Sequence, residues 1–594
     1  MNRRVKKAVS VVVSSVLLVG SVFAPVAYAE SPVKAAAANV GSFFRQGLND
    51  VFEFVVTSAL SGVQRLIPDK TDAVAPEEYV SENFYSGTQT FLTEPAADAR
   101  WQLGYAYRSL VPDDWRTHTY YLGGYIVADN GFTNNLESVI DDMAIRCVAV
   151  SDGSGRGVSL FGTIDAIGVS NKDIRAVRAM LAERAESAGI PISSVNLTST
   201  HAHSCIDTQG LWTDLFRKVF KNIGAAIVRK DLTPGADEHY LSFMRQQVAD
   251  ALFEALTGMK TGSMTYSRKS LDKGYFSNKN RKSATSLPTE LTRFLFTPDD
   301  GSMPTVISNL GAHPDVAGLP TDTNSGRDLC GEYVYYIGDE LAAHGYNSLF
   351  INGAIAGIYF GRGLTGDGVT IEKRYQESER YGREIARILL AMNMTEEEIY
   401  ASDLYDAETI EAEKADAASK GANYTLWCAN WEPVPVRDVP AYFNIRLKEV
   451  RVSVTNPLIL LAGKLKLANY NIIRDPKGNY SIYTEIGYAE FGDVPVVLVP
   501  GELVTDIYAG GGSLTAAGSS RGEDFGYPCL KEIFGADTVC FGLANDAIGY
   551  IVPDNDYKMA IIDDHYQELI SLGRHTASTL MEGYLELAQE LGIG

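Results

Sequence analysis

Residues 195–204 read VNLTSTHAHS, a β-prone run that ends in two histidines one residue apart. Side chains of an extended chain alternate faces, so this spacing points His201 and His203 the same way and lets both converge on one ion or one substrate. Imidazole is a common zinc ligand, and a strand end opening onto a loop is a frequent address for catalytic groups. Only eight histidines occur in 594 residues, which makes a pair at a strand end less easily accidental. Two histidines do not complete a site, because a catalytic zinc takes three protein ligands and keeps a position for water. The pair alone therefore leaves open the plain alternative of two polar residues at a strand exit.

Elements able to position such groups follow in order. Strands are predicted over 144–150 and 157–164, a helix over 171–188, and then the histidine-bearing strand, a succession that implies a layered α/β sheet. A helix over 237–256 and a strand over 264–267 lead to a loop, 273–282, rich in Lys, Arg and Asn. The strand 305–310 ends at Gly311-Ala312-His313-Pro314, an exit like the first, and precedes a helix over 331–344, a strand over 348–352 and a helix over 372–392. The Ala- and acid-rich stretch 401–421 reads as a solvated helix or insertion. Strands over 446–454, 494–499 and 539–543 and an amphipathic helix over 566–591 complete the chain.

Residues 1–29 carry a basic start (Arg3, Arg4, Lys6, Lys7), an apolar run and Ala27-Tyr28-Ala29, the order of a secretory signal peptide. An uncleaved anchor is the alternative; once the leader is removed, no integral span is expected, and the protein is expected to be secreted or extracytoplasmic. Residues 30–100 are expected to form a helical prefix (35–67) and an irregular connector, and 101–594 one large α/β domain. The net charge of −22, with no basic run after the leader, argues against nucleic acid as a partner. Six cysteines without CxxC spacing do not suggest a zinc knuckle, and Cys147 and Cys540, in apolar strand-like runs, read as buried thiols.

Further strand exits and motifs complete the series RCVAVSDGSGRGVSLFGTIDA, THAHS, Asn280-Arg281, GAHPD, PGE and GLANDAIGY. In this order the chain resembles the neutral ceramidase family, secreted or membrane-associated zinc amidases that cleave the N-acyl bond of ceramide. The resemblance runs from about Leu103 to the C-terminus. It implies a neutral ceramidase N-terminal-type fold with Zn2+ held by His201, His313, Glu502 and Tyr550. It also implies that His203 contacts water or substrate and handles a proton, and that Arg281 sits near the developing oxyanion. Each residue has a plainer reading. His313 could cap a strand, Glu502 could begin a helix, Tyr550 could be a core aromatic, and Arg281, between Lys279 and Lys282, could belong to a solvated basic loop.

The chain departs from the family pattern in one informative place. Where the family has a Gly-Asp-x-Ser-Pro turn with a catalytic serine, the corresponding stretch here, residues 350–359 (FINGAIAGIY), has neither the acid nor the serine. Ser325 and Asp328 are the counterparts expected for another family loop, and Cys205 and Cys330 are expected near each other beside the metal, as free thiols, a bridge or a soft ligand. The family's C-terminal immunoglobulin-like domain is expected to be missing. The implied function is zinc-dependent hydrolysis of a small-molecule or lipid N-acyl amide. Ester hydrolysis on the same scaffold and a non-catalytic lipid- or glycan-binding role are the alternatives. An amidohydrolase barrel, which also begins with HxH, would need repeated βα units and a late aspartate, an order not found here.

Overall fold

The structure is a computed structural model that describes residues 73–124, 135–228, 230–280, 286–315, 328–360, 371–404, 431–559 and 565–593, with a few isolated positions besides. The leader lies outside them, as do nearly all of the prefix helix and most of the stretch 401–421.

The strand Ala144–Ser151, AIRCVAVS, is buried along its whole length, which requires cover on both faces. Its alternation divides that cover. Ile145, Cys147 and Ala149 pack with Ile174, Leu181, Met244, Val248 and Leu252 of the helices Asn171–Ala188 and Glu238–Thr257. Val148 and Val150 point the other way, into a cluster with Phe443, Ile445, Phe491 and Val496. Each large apolar side chain buried in this way contributes about 1.5–3 kcal/mol.

That second cluster is the seam between two sheets. The larger, nine-stranded sheet runs Asn347–Asn352, Thr305–Leu310, Glu290–Pro298, Lys260–Ser270, Trp101–Ser109, Ala144–Ser151, Val158–Ile164, Ile192–Ser199, with Arg437–Asp438 added beside Lys260–Ser270. The smaller runs Phe443–Ser453, Tyr480–Phe491, Val494–Leu498, Val539–Phe541, with Ile473–Arg474 beside Tyr480–Phe491. Helices Glu332–Ala343 and Ile371–Ala391 extend the cover of the large sheet, and helix Thr576–Leu591 covers the outer face of the small one. The result is a mixed α/β architecture in four layers, helix, sheet, sheet, helix, which realises the α/β class expected from the sequence.

The large sheet is antiparallel in its middle and parallel at both ends. Val158–Ile164 pairs in parallel with Ile192–Ser199 through the helix Asn171–Ala188, and Thr305–Leu310 with Asn347–Asn352 through the helix Glu332–Ala343. The two ends curl toward each other, and the segment after Val539–Phe541 enters between them. Gly542 N–H donates to Asn352 O (2.8 Å) on one side, and Asn545 N–H donates to Leu197 O (2.7 Å) on the other. Both histidine loops leave the carboxyl ends of strands in these parallel pairs, the edge strand Ile192–Ser199 and the strand Thr305–Leu310 next to the other edge, the usual ligand side of parallel units.

Two local expectations change. The helix predicted over 566–591 is broken into Tyr566–Leu569 and Thr576–Leu591, because Asn456 Nδ2 caps the carbonyls of Glu568 (3.1 Å), Leu569 (3.0 Å) and Ser571 (2.8 Å). The long strand Tyr480–Phe491 had no sequence expectation. Its apolar pattern is interrupted by Glu485, a fully buried carboxylate held by Arg178 (2.7 and 2.8 Å) and Arg175 (3.1 Å) from the helix Asn171–Ala188.

Candidate metal centre

The strand that carries the histidine pair ends at Ser199, so strand alternation does not aim His201 and His203. His201 adopts a left-handed backbone (φ 65°), its N–H donating to Ala166 O (2.9 Å), while His203 N–H donates to Pro314 O (3.1 Å) in the other histidine loop. A non-glycine residue there costs about 1–3 kcal/mol and persists where its surroundings fix it. The two rings still meet, with centroids 4.8 Å apart. The expected convergence therefore arises from a turn, not from the pleat.

His313 follows Thr305–Leu310 and is fully buried, its ring stacked on Tyr359 (4.6 Å). Glu502 and Tyr550 are direct register partners in two short parallel strands, Glu502–Leu503 and Tyr550–Ile551; Glu502 stands just before the helix Thr505–Ala509, and Tyr550 is buried in the apolar cluster beneath it. Glycines permit this pairing. A Cβ on Gly501 would lie 2.5 Å from Gly549 O, and one on Gly549, at φ 80°, would lie 1.9 Å from Ile570 O. The glycines of PGE and of NDAIGY thus serve close backbone approach beside the two polar side chains.

These elements bring His201, His203, His313, Glu502 and Tyr550 together. Nε2 of His201 lies 3.2 Å and Nε2 of His313 lies 3.1 Å from the same Glu502 oxygen. The opposite ring nitrogens face backbone carbonyls, Nδ1 of His201 at Ile167 O (2.6 Å) and Nδ1 of His313 at Ile358 O (2.8 Å). A carbonyl only accepts, so each Nδ1 carries a proton, and a ring without a second proton presents its Nε2 lone pair to the carboxylate. Three acceptors then converge on one point, an arrangement that calls for a cation or for added protons. Ring orientation by backbone carbonyls is also how metal-ligating histidines are commonly held. One ligand atom each of His201, His203 and His313 lies within 4.8 Å of the others, so His203 is close enough to belong to the same donor cluster. The donor chemistry fits zinc.

Electrostatics follow from this packing. Burial pushes the Glu502 carboxyl up, but His201 and His313 outweigh it and hold the group well below the usual carboxylate range. Burial would lower His313, yet the hydrogen bond and charge of Glu502 raise it. His203 is pressed well below the ordinary histidine value by burial first and by its two imidazole neighbours next. Burial, then Glu502, lifts the Tyr550 phenol far above its ordinary value, and the phenol is hydrogen-bonded to that carboxylate.

The sequence reading did not assign a role to Asn352, which is fully buried at the end of Asn347–Asn352. Its Nδ2 donates to Thr200 O (2.8 Å) and Ala312 O (3.1 Å), the residues immediately before His201 and His313. Its Oδ1 accepts from Ala312 N–H (3.2 Å) and Gly353 N–H (3.1 Å). One amide thus clamps both histidine loops. Ala356 is buried, and its N–H donates to Leu503 O (3.1 Å) next to Glu502.

Arg281 and Ser325 lie outside the described residues. Asp328 is bonded to Ser138 and to the Tyr375 hydroxyl (3.1 Å). Cys205 and Cys330 are neighbours as expected, and both are free buried thiols. Cys205 Sγ faces Cys330 O (3.6 Å), Cys330 Sγ donates to Asp141 (3.0 Å), and neither joins the histidine cluster. Cys147 and Cys540 are likewise free and buried.

No family model and no curated sequence matches the chain. Its fold does match solved structures. A neutral ceramidase from Pseudomonas aeruginosa superimposes with a TM-score of 0.52 at 12% identity, over 83% of this chain and 75% of that one. A ceramidase complexed with C2 gives 0.53 at the same identity and coverage. Far below the identity at which sequences align by eye, the protein has the fold of the neutral ceramidases, with its buried histidine, glutamate and tyrosine cluster at the strand ends.

Proposed function

We propose that the protein is a zinc-dependent hydrolase of N-acyl amide bonds, ceramidase-like, exported behind its leader, with ceramide as the first substrate to try. The observation that carries this reading is the pair of imidazole Nε2 atoms aimed at one Glu502 oxygen, each ring held from behind by a carbonyl. His201, His313 and Glu502 would hold the ion, with Tyr550 beside Glu502. When bound, zinc would polarise an acyl carbonyl and lower the pKa of water toward neutrality.

The chain's own residues divide the remaining work. Glu502 supplies the negative charge and orients the Tyr550 hydroxyl. His203, kept neutral by burial and by its neighbours and so a weak base in the metal-free site, is assigned the proton that passes to the leaving amine. Arg281 is assigned to the oxyanion. Ala354 and Ala356 offer neither acid nor hydroxyl, so the reading assigns the attack to water and not to a side chain. A lipid substrate needs no membrane span, and among the described residues no helix is long and apolar enough to make one.

The test is a panel of N-acylsphingosine, N-acyl amino acid and ester substrates assayed before and after chelation. Amide turnover is expected to disappear with the chelator and to return with zinc. Ester turnover without amide turnover, or amide turnover indifferent to the chelator, overturns the reading.

Asn352 offers a more local check. Asn352→Leu is expected to cost about 1–3 kcal/mol for each buried group it leaves unpaired, read as a lower urea midpoint. Loosening both histidine loops is also expected to weaken zinc binding by about 10–100-fold, read by competition with a chelating dye. Unchanged zinc affinity would show that the clamp does not position the ligands.

A further inference from the structure

We propose a second, surface metal site formed by Asp114, His118 and His239, suited to a borderline divalent cation of the zinc, cobalt, nickel and copper class. It shares no residue with the central cluster. Asp114 and His118 lie in the turns after the strand Trp101–Ser109, where the Asp114 carbonyl accepts from the N–H groups of Thr117 (2.8 Å) and His118 (2.9 Å). His239 comes from the first turn of the helix Glu238–Thr257, whose cap Asp237 accepts from His239 N–H (2.9 Å).

The two imidazoles lie face to face at a tilt, with centroids 4.9 Å apart and 41° between planes. Both present Nε2 to carboxylates, His118 to Asp237 (2.6 Å) and His239 to Asp114 (3.1 Å). The Tyr120 hydroxyl donates to the other Asp114 oxygen (2.6 Å), which orients that carboxylate toward His239. One ligand atom each of Asp114, His118 and His239 lies within 4.8 Å of the others. That span is compatible with a shared shell of about 2.0–2.2 Å radius after small adjustments.

Two imidazoles and one carboxylate favour a borderline ion over calcium or magnesium, which take oxygen ligands. The metal would take the place of the proton between His239 Nε2 and Asp114, with His118 turning a ring nitrogen from Asp237 to the ion. Tyr120 and Asp237 also line a cavity of about 240 Å³ beside the cluster, which gives room for an exchangeable water or anion on the ion. The side chains of His118 and His239 are 39% and 60% exposed, so the site is open to exchange, unlike the buried centre.

The experiment is equilibrium dialysis of metal-free protein against Co2+, with the visible absorption of the bound ion and melting curves recorded for each variant. Wild type is expected to bind two equivalents, H118Q/H239Q one, and H313A one. D114N, which retains a side-chain oxygen for Tyr120, is expected to bind the surface equivalent about 10-fold or more weakly. If wild type binds a single equivalent that H118Q/H239Q loses, the surface site stands and the central reading fails. H118Q/H239Q binding as much Co2+ as wild type with equal affinity, or D114N binding the surface equivalent unchanged, overturns the proposal.

Discussion

Glu502→Gln is expected to strip the central metal and the hydrolytic activity together while leaving the protein folded. The glutamate is the one carboxylate at which both imidazoles aim, and its oxygen lies 3.1–3.2 Å from each Nε2. A glutamine has the same shape but no charge. Loss of a partner that only orients a ligand already costs about 10–100-fold in metal affinity, and loss of a ligand itself is expected to exceed that range. Turnover of an N-acyl substrate is expected to fall by about 10³-fold, equivalent to about 4 kcal/mol of barrier.

The metal-free fold behaves differently. The glutamine NH2 can donate to an Nε2, but the attraction that depresses the Glu502 carboxyl and raises His313 is lost, so the urea midpoint of the metal-free variant is expected to be modestly lower than that of the metal-free wild type. Zinc content by elemental analysis, amide turnover and the urea midpoint separate these effects. Retention of stoichiometric zinc by Glu502→Gln would remove the residue from the ligand set, and a large drop in the metal-free midpoint would make its role structural.

Glu485→Ala is expected to produce the largest loss of stability, about 3–5 kcal/mol, because it leaves two buried guanidinium groups without their shared carboxylate. Arg178 and Glu485 are both fully buried and joined by two hydrogen bonds of 2.7 and 2.8 Å, and Arg175 adds a third at 3.1 Å. The trio fastens the helix Asn171–Ala188, which packs on the large sheet, to the strand Tyr480–Phe491 of the small one. Its loss therefore loosens the two halves that supply different ligands. Glu449→Ala, at a partly exposed partner of Arg175, is expected to cost much less.

The pH dependence has a definite sign. Burial alone would raise the Glu485 carboxyl, but the two arginines outweigh it and lower the folded value below the unfolded one. A depressed carboxylate contributes its stability above the unfolded pKa, near 4.3, and that stability is lost as pH falls through the folded value. Wild type is expected to lose stability over that acid range more steeply than Glu485→Ala. Parallel curves for the two proteins would exclude the linkage.

Local signals announced many of the elements. The helix Asn171–Ala188 has its limits written in Ser170, which caps Lys172 N–H, and in Gly189, which closes it at φ 69°. The strand Thr305–Leu310 is an unbroken buried run between turn residues. Where a distant partner decided the outcome, local reading failed. Asn456 breaks the last helix from more than a hundred residues away in sequence, and Glu485 disguises a central strand because its arginines are far away in the chain. The same limit applies to chemistry. Nothing near His118 in sequence points to His239, and nothing in the run FINGAIAG says that Asn352 will clamp Thr200 and Ala312.

The amino-acid sequence by itself determined the α/β class and many of the element types, and it offered the residues expected as donors, because capping, alternation and glycine placement act within a few residues. Only the tertiary structure decided that His201, His203, His313, Glu502 and Tyr550 meet. Their convergence rests on sheet curling, on a left-handed turn at His201 and on the Asn352 clamp, all of them long-range closures whose free energy is not written in any local window.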